Sequence, residues 1–179
     1  LNGGTIADAA GNVATLTLAS PGAAGSLGAG KALVVDGTVP TVASVTSSTA
    51  DGSYGIGDAI SIQVVFSEAV HVTGTPQLTL ETEATDAVVD YASGSGTNTL
   101  TFTYTVASGE NSSDLDYAGT TALALNGGTI TDAAGNALDL TLASPGATGS
   151  LGANKALVVD TTVPTVSNVT SSTANGAYK

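Results

Sequence analysis

Residues 1–55 and 125–179 are two copies of one segment, offset by 124 positions and identical at 43 of 55. LNGGTIADAAGN at Leu1 returns as LNGGTITDAAGN at Leu125, and SPGA, GSLGA, KALVVD, TVPTV and VTSSTA are shared. Self-similarity at a fixed offset is the mark of a repeat architecture, so the period predicts repeated domains rather than one large one. VVDGTVP (Val34 to Pro40) and VVDTTVP (Val158 to Pro164) each place proline after an extended apolar run, where it holds the chain extended and marks a linker. The expected organisation is the C-terminal part of one repeat in 1–38, a complete repeat in 39–162, and the start of the next in 163–179. Both ends then cut through domains, so the chain is expected to be a window on a longer array or fibre in which neighbouring copies cover the part-domains.

Within the complete repeat, apolar residues alternate with period two, the pattern of strands that bury one face. Ile60, Ile62, Val64 and Phe66 share a side, as do Leu100, Phe102, Tyr104 and Val106, with Thr99, Thr101, Thr103 and Thr105 opposite. Further strands are expected over 42–46, 76–81, 87–91, 122–125, 128–131, 137–142 and 156–160. No capped stretch of helical periodicity is long enough to compete with them. Asp51-Gly52, Gly57-Asp58, Gly94-Ser95-Gly96, Asn126-Gly127 and Gly135-Asn136 divide these runs, and Asn-Gly is suited to a tight hairpin turn between Leu125 and Gly128. The expected fold is all-β, an antiparallel immunoglobulin-like sandwich of about seven to nine strands repeated with period 124.

Charge narrows the partners. The chain carries three Lys+Arg against 15 Asp+Glu, a net charge of −12. One period, residues 43–166, holds thirteen acidic residues against Lys155 alone, so the charge recurs with each repeat and must be screened by salt or bound cations. Nucleic acid needs a basic footprint that is absent, and an anionic membrane surface would repel the chain. No apolar run reaches the ~20 residues of a membrane helix. Without cysteine there is no disulfide framework and no thiolate site.

The order GDAISIQVVFSEAVHVTGTPQLTLE, YASGSGTNTLTFTYTV, LNGGTITDAAGN and ALVVDTTVPTV resembles the bacterial immunoglobulin-like repeats of very large secreted surface proteins and adhesins. That resemblance covers the whole 124-residue period. It implies a sandwich module used in extracellular stalks, often stabilised by calcium, and no enzymatic activity.

Calcium takes hard oxygen ligands, and the acidic turns offer them. If nine strands alternate direction, the DAAGN turn and the VVD exit share the far end of a domain, while an FSE turn lies at the near end of the next. Asp8, Asn12 and Asp36 are then expected to converge with Glu68 across the first junction, as in cadherin-like strings. Asp132, Asn136 and Asp160 would face a partner beyond residue 179. Asp114 and Asp116 in SSDLDY form a weaker second candidate. The same residues also fit a plainer role, DAAGN as an Asp/Asn-stabilised turn and Glu68 as a solvated carboxylate.

Other chemistry finds little footing. His71 stands without a serine motif, a metal-ligand partner or a phosphate loop. Glu81 and Glu83 are neighbours on one strand end, whereas glycosidase acids flank a bond from two sides. The threonine row at 99–105 suits an ice-binding ladder in principle, but β-branched threonine is also an ordinary exposed strand residue. Asn111-Ser112-Ser113 and Asn168-Val169-Thr170 match the glycosylation sequon. Lys155 and its copy Lys31 fit a charge guarding a strand edge better than an isopeptide donor. The expected function is a structural tandem module of an extracellular or cell-surface filament, stalk, surface layer or adhesin. It gives length and stiffness, has its own neighbouring repeats as partners, and carries calcium at its junctions. The alternative is an adhesin module that binds host, matrix, glycan or ice.

Overall fold

The structure, a computed structural model, describes residues 3–83 and 85–179; Leu1 and Asn2, which open the shorter copy, and Ala84 lie outside the described residues. Two compact units are present, Leu1–Asp36 and Gly37–Lys179.

Among the described residues the second unit holds nine strands. These are β1 (Val42–Ser47), β2 (Gly52–Tyr54), β3 (Ala59–Thr73), β4 (Gln77–Leu80), β5 (Ala87–Ser93), β6 (Thr97–Thr105), β7 (Leu123–Ala124), β8 (Thr129–Thr131) and β9 (Leu157–Val159). Seven of them follow the order β1-β3-β6-β5-β4-β7 with β8 added on β3, all antiparallel; β2 and β9 make a separate parallel pair. The large sheet curls around one core that gathers Val45, Ile62, Leu78, Leu100, Phe102, Leu115, Leu151 and Leu157. The predicted alternation places its residues as expected: Ile60, Ile62, Val64 and Phe66 are buried from β3, and Leu100, Phe102, Tyr104 and Val106 from β6 and its end. Ile62 stands opposite Phe102 across the ladder, and the Phe102 ring meets Tyr91 edge to face at 6.2 Å.

Four local expectations change. The FSE segment is no turn, since β3 runs through Ser67 and Glu68 to Thr73. A register shift between Val65 and Val70 absorbs it, so the strand bends, leaves its first partners and ends against β8. Asn126 and Gly127 take the expected positive φ angles of 47° and 76°, and Gly128 N–H donates to Leu125 O at 2.8 Å. That tight turn nevertheless joins no hairpin, because β7 pairs with β4 and β8 with β3. The run at 137–142 holds only isolated bridges, Ala137 to Thr131 and Asp139 to Thr41, although Leu138 and Leu142 are buried from it. Gly52, read as a turn, opens β2 instead.

A short helix, α2 (Leu151–Asn154), is capped by Ser150, whose Oγ accepts from Ala153 N–H at 3.2 Å. It buries Leu151 completely. In the first unit the same sequence forms α1 (Leu27–Gly30) with the same cap from Ser26 to Ala29 at 3.2 Å. There, however, Leu27 is exposed. Residues 163–179 form no strand.

Two buried tyrosines tie loops to the core. Tyr104 Oη donates to Glu110 Oε2 at 2.7 Å, and Tyr117 Oη donates to the Ala143 carbonyl at 2.6 Å. Burial, and then the Asp116 charge, push the Tyr117 phenol up to about 12; burial, and then the Glu110 carboxylate, raise Tyr104 as well. A raised folded-state pKa means the phenol's contribution is intact below the unfolded value of about 10 and is lost as pH climbs through the folded value. Unfolding at pH 10 to 12 is therefore expected to lose about 2–3 kcal/mol from Tyr117, two pKa units at ~1.4 kcal/mol each. Urea titrations of wild type and Tyr117→Phe across that window check this, the variant showing a shallower alkaline slope; equal slopes would refute it.

Candidate functional site

The Asp132 turn is a closed hydrogen-bond motif. Asp132 Oδ1 accepts from Ala134 N–H and Asn136 N–H, both at 2.8 Å, and its Oδ2 accepts from Asn136 Nδ2 at 2.7 Å. Burial would by itself raise the pKa of this carboxyl, but the Asn136 amide and the backbone donors outweigh it and the net direction is down. The turn's support is therefore complete above the ordinary aspartate range and fades as pH falls through the lowered value. The plainer role expected for DAAGN, an Asp/Asn-stabilised turn, is what the geometry displays. Its copy repeats the motif in the first unit: Asp8 accepts from Ala10 N–H, Asn12 N–H and Asn12 Nδ2 at 2.8–2.9 Å. Asp8 is likewise lowered, chiefly by the Asn12 side chain.

The bend in β3 brings Glu68 to the Asp132 turn, and the two carboxylates approach within 4.8 Å. β8 positions Asp132 from the other side through the His71–Thr131 pair. This changes one part of the expected grouping, the placing of Asp132 with Asp160. Glu68 finds Asp132 within its own unit, and Asp132 does not share an end with Asp160. The chain enters the unit beside Glu68, where Ser67 N–H donates to Thr41 O at 2.9 Å and Asp139 N–H to Pro40 O at 3.0 Å. It leaves at the opposite end, where Asp160 N–H donates to Tyr54 O at 3.0 Å and Gly55 N–H to Asp58 Oδ2 at 2.9 Å. Asp58 precedes Glu68 by ten residues of mostly extended chain, about 30 Å at ~3.3 Å per residue. The difference lies in the length of β3: it runs on past Glu68 to Thr73, and the short β8 pairs with that extension, so the chain at Asp132 has come back only as far as Glu68. Asp36 closes the first unit.

Asp116 also has a different role. It is buried, and its Oδ1 accepts from Tyr117 N–H at 2.9 Å and Leu151 N–H at 3.2 Å, while Oδ2 accepts from Gly146 N–H at 2.9 Å. Asp114 does face the same way: a Cβ on Gly152 would lie 3.4 Å from its Oδ2 and 3.0 Å from that of Asp116. The pair thus packs against the turn of α2, with Asp116 as a clamp on the 146–151 loop.

The remaining candidates are placed by the same geometry. His71 is exposed on β3 opposite Thr131. Glu81 Oε1 accepts the Glu83 N–H at 3.2 Å, so the two form a local loop contact. Thr103 and Thr105 are exposed and Thr99 and Thr101 half-buried, on the outer face of β6. Lys155 Nζ meets Asp51 Oδ1 at 2.7 Å beside the β2–β9 pair, which suits an edge charge. Asn111, read only as a sequon, fixes the exit: its Oδ1 accepts from Thr161 N–H at 2.9 Å. Nothing local in the sequence announces that contact, which spans 50 positions.

Among the described residues no helix is long and apolar enough to cross a membrane. No match was found among curated proteins or among solved structures. Residues 36–145, more than half of the sequence, match the family model of the bacterial Ig-like domain. With nine strands curled around one core in the region that this match covers and just beyond it, the chain belongs to the bacterial Ig-like domain family.

Proposed function

We propose that the chain is a structural module of an extracellular or surface-exposed stalk, filament or adhesin, used in tandem to give length. The observation that carries this reading is the path of the backbone. The second unit is entered beside Glu68 and left beside Asp58, at opposite ends of β3, and the sequence that leaves it repeats the sequence that enters it. Such a unit strings end to end without folding back. A polypeptide with two, three and four copies of the 124-residue period is expected to lengthen by about 30–50 Å per copy, the length that β3 sets at ~3.3 Å per residue. Small-angle scattering or electron microscopy measures it, and a particle that thickens without lengthening would overturn the reading.

The proposal includes calcium at Glu68 and Asp132. Support comes from the donor set, two carboxylates within 4.8 Å, in a chain whose charge of −12 favours cation uptake. Bound calcium would supply a fixed positive charge between the β3 bend and the Asp132 turn. At a hundredfold excess over its dissociation constant it is expected to stabilise the chain by about 2.7 kcal/mol. Glu68→Gln, which leaves the Asp132 turn whole, should remove that gain. Thermal melts with calcium up to ~10 mM, the range of weak extracellular sites, decide it; identical melting for both proteins would exclude the site.

A further inference from the structure

The large sheet of the second unit opens between β5 and β6. Their ladder holds only the Ser93–Thr101 and Tyr91–Phe102 pairs, with a register shift between them, while β5 stays paired with β4 back to Ala87. Past Tyr91 the two strands bound a groove of about 550 Å³. Asp86, Val88 and Asp90 line it from β5 and the turn before it, Thr103 and Thr105 from β6, and Glu110 from the loop that follows.

Neighbouring bonds fix which backbone groups face this groove. Tyr91 N–H donates to Pro76 O at 2.8 Å, so by the alternation of an antiparallel ladder Ala87 and Val89 also turn their N–H and C=O to β4. Val88 then turns its own toward the groove. On β6, Val106 N–H donates to Asp58 O at 3.0 Å and Gly57 N–H to Val106 O at 2.9 Å, so Phe102 and Tyr104 face β3 with their backbone groups. Thr105 turns toward the groove from the other side. Two strand edges thus stand across one groove, and an unpaired edge is a template for a further strand.

We propose that this groove binds an extended basic segment of a partner protein, added to the sheet as a strand. The lining side chains decide its chemistry. Ala87, Val89 and Tyr104 are buried beneath the groove, so the row of an added strand that points inward must be small. Asp86, Val88 and Asp90 are exposed on the outer side, with Val88 as an apolar side chain between two carboxylates. Opposite charges, and an aromatic residue beside a β-branched one, are favourable cross-strand neighbours. The outer row of the partner is therefore expected to read basic, aromatic, basic at i, i+2 and i+4, with small residues at i+1 and i+3. Glu110, whose Oε2 accepts from Tyr104 Oη and Ala107 N–H at 2.7 Å, adds a third carboxylate. No segment of residues 1–179 has two basic residues within five positions, so the repeat does not fill its own groove. The same carboxylates repel acidic copies of this chain from the edge.

The probe is a labelled peptide, Thr-Lys-Ala-Tyr-Ala-Lys-Thr, titrated into the full chain at ~0.15 M salt and read by fluorescence anisotropy. It is expected to bind at least about tenfold more tightly than its isomer with adjacent lysines, Thr-Ala-Lys-Lys-Tyr-Ala-Thr, or than the same peptide with glutamate for lysine. Asp86→Asn combined with Asp90→Asn, which keeps an acceptor for Gln77 Nε2, should cost a similar factor. N-methylation of the peptide's tyrosine removes a ladder donor without touching the protein and should also weaken binding about tenfold. At saturation the amides of Val88 and Thr105 should gain protection from hydrogen exchange. Equal binding of the two lysine isomers, or unchanged exchange at both amides with peptide bound, would mean diffuse charge attraction and overturns the proposal. So does loss of binding in a polypeptide with three copies of the period, where neighbouring repeats would cover the groove. None of these results bears on the tandem reading or on calcium, which the length and melting measurements test separately.

Discussion

Asp116→Ala is expected to destabilise the second unit by about 3–5 kcal/mol in urea unfolding, among the largest effects of any single polar substitution in this chain. The carboxylate accepts three backbone donors, from Tyr117, Leu151 and Gly146, and the first two belong to residues with no exposure. Alanine removes all three acceptors. Each buried N–H left without a partner costs about 1–3 kcal/mol, and the loop from 146 to 151 loses its attachment to the 115–117 segment. Asp116→Asn retains one acceptor oxygen and should cost less than half as much. A loss below about 1 kcal/mol for alanine would mean that water reaches these donors and that the clamp is not what holds the loop.

The same residue shows how far the sequence could be read. SSDLDY placed two carboxylates on one side, which is what the chain does, but their use was unreadable because Asp116's partners at Gly146 and Leu151 lie 30 and 35 positions away. Period-two alternation located most strands well, since it reports burial directly and local residues decide it. It misled at FSE, where Ser67 and Glu68 interrupt the apolar pattern as a turn would, although a register shift carries β3 through. That one misreading cut β3 short of the segment that β8 pairs with, and so sent Asp132 to the end of Asp160 rather than to Glu68. Asn126-Gly127 is instructive in the same way. The positive φ angles follow from residue type, but which strands a tight turn joins is settled by pairing across the sheet.

Leu151→Ala and Leu27→Ala make one change in two copies of the same sequence, and they are expected to differ by about 3 kcal/mol. GSLGA surrounds both leucines, the same serine caps both helices, and both helices close with the Lys N–H donating to the leucine carbonyl at 2.9 Å. Helix propensity, capping and unfolded-state terms are therefore nearly matched, and what remains is tertiary burial. Leu151 is fully buried in the core with Leu115, Leu142 and Leu157, so truncation should cost about 2–5 kcal/mol through lost transfer energy and the cavity left behind. Leu27 is 70% exposed, and its truncation should stay within about 0.5 kcal/mol. Equal stability losses for the two leucines would mean that α2 owes little to the core.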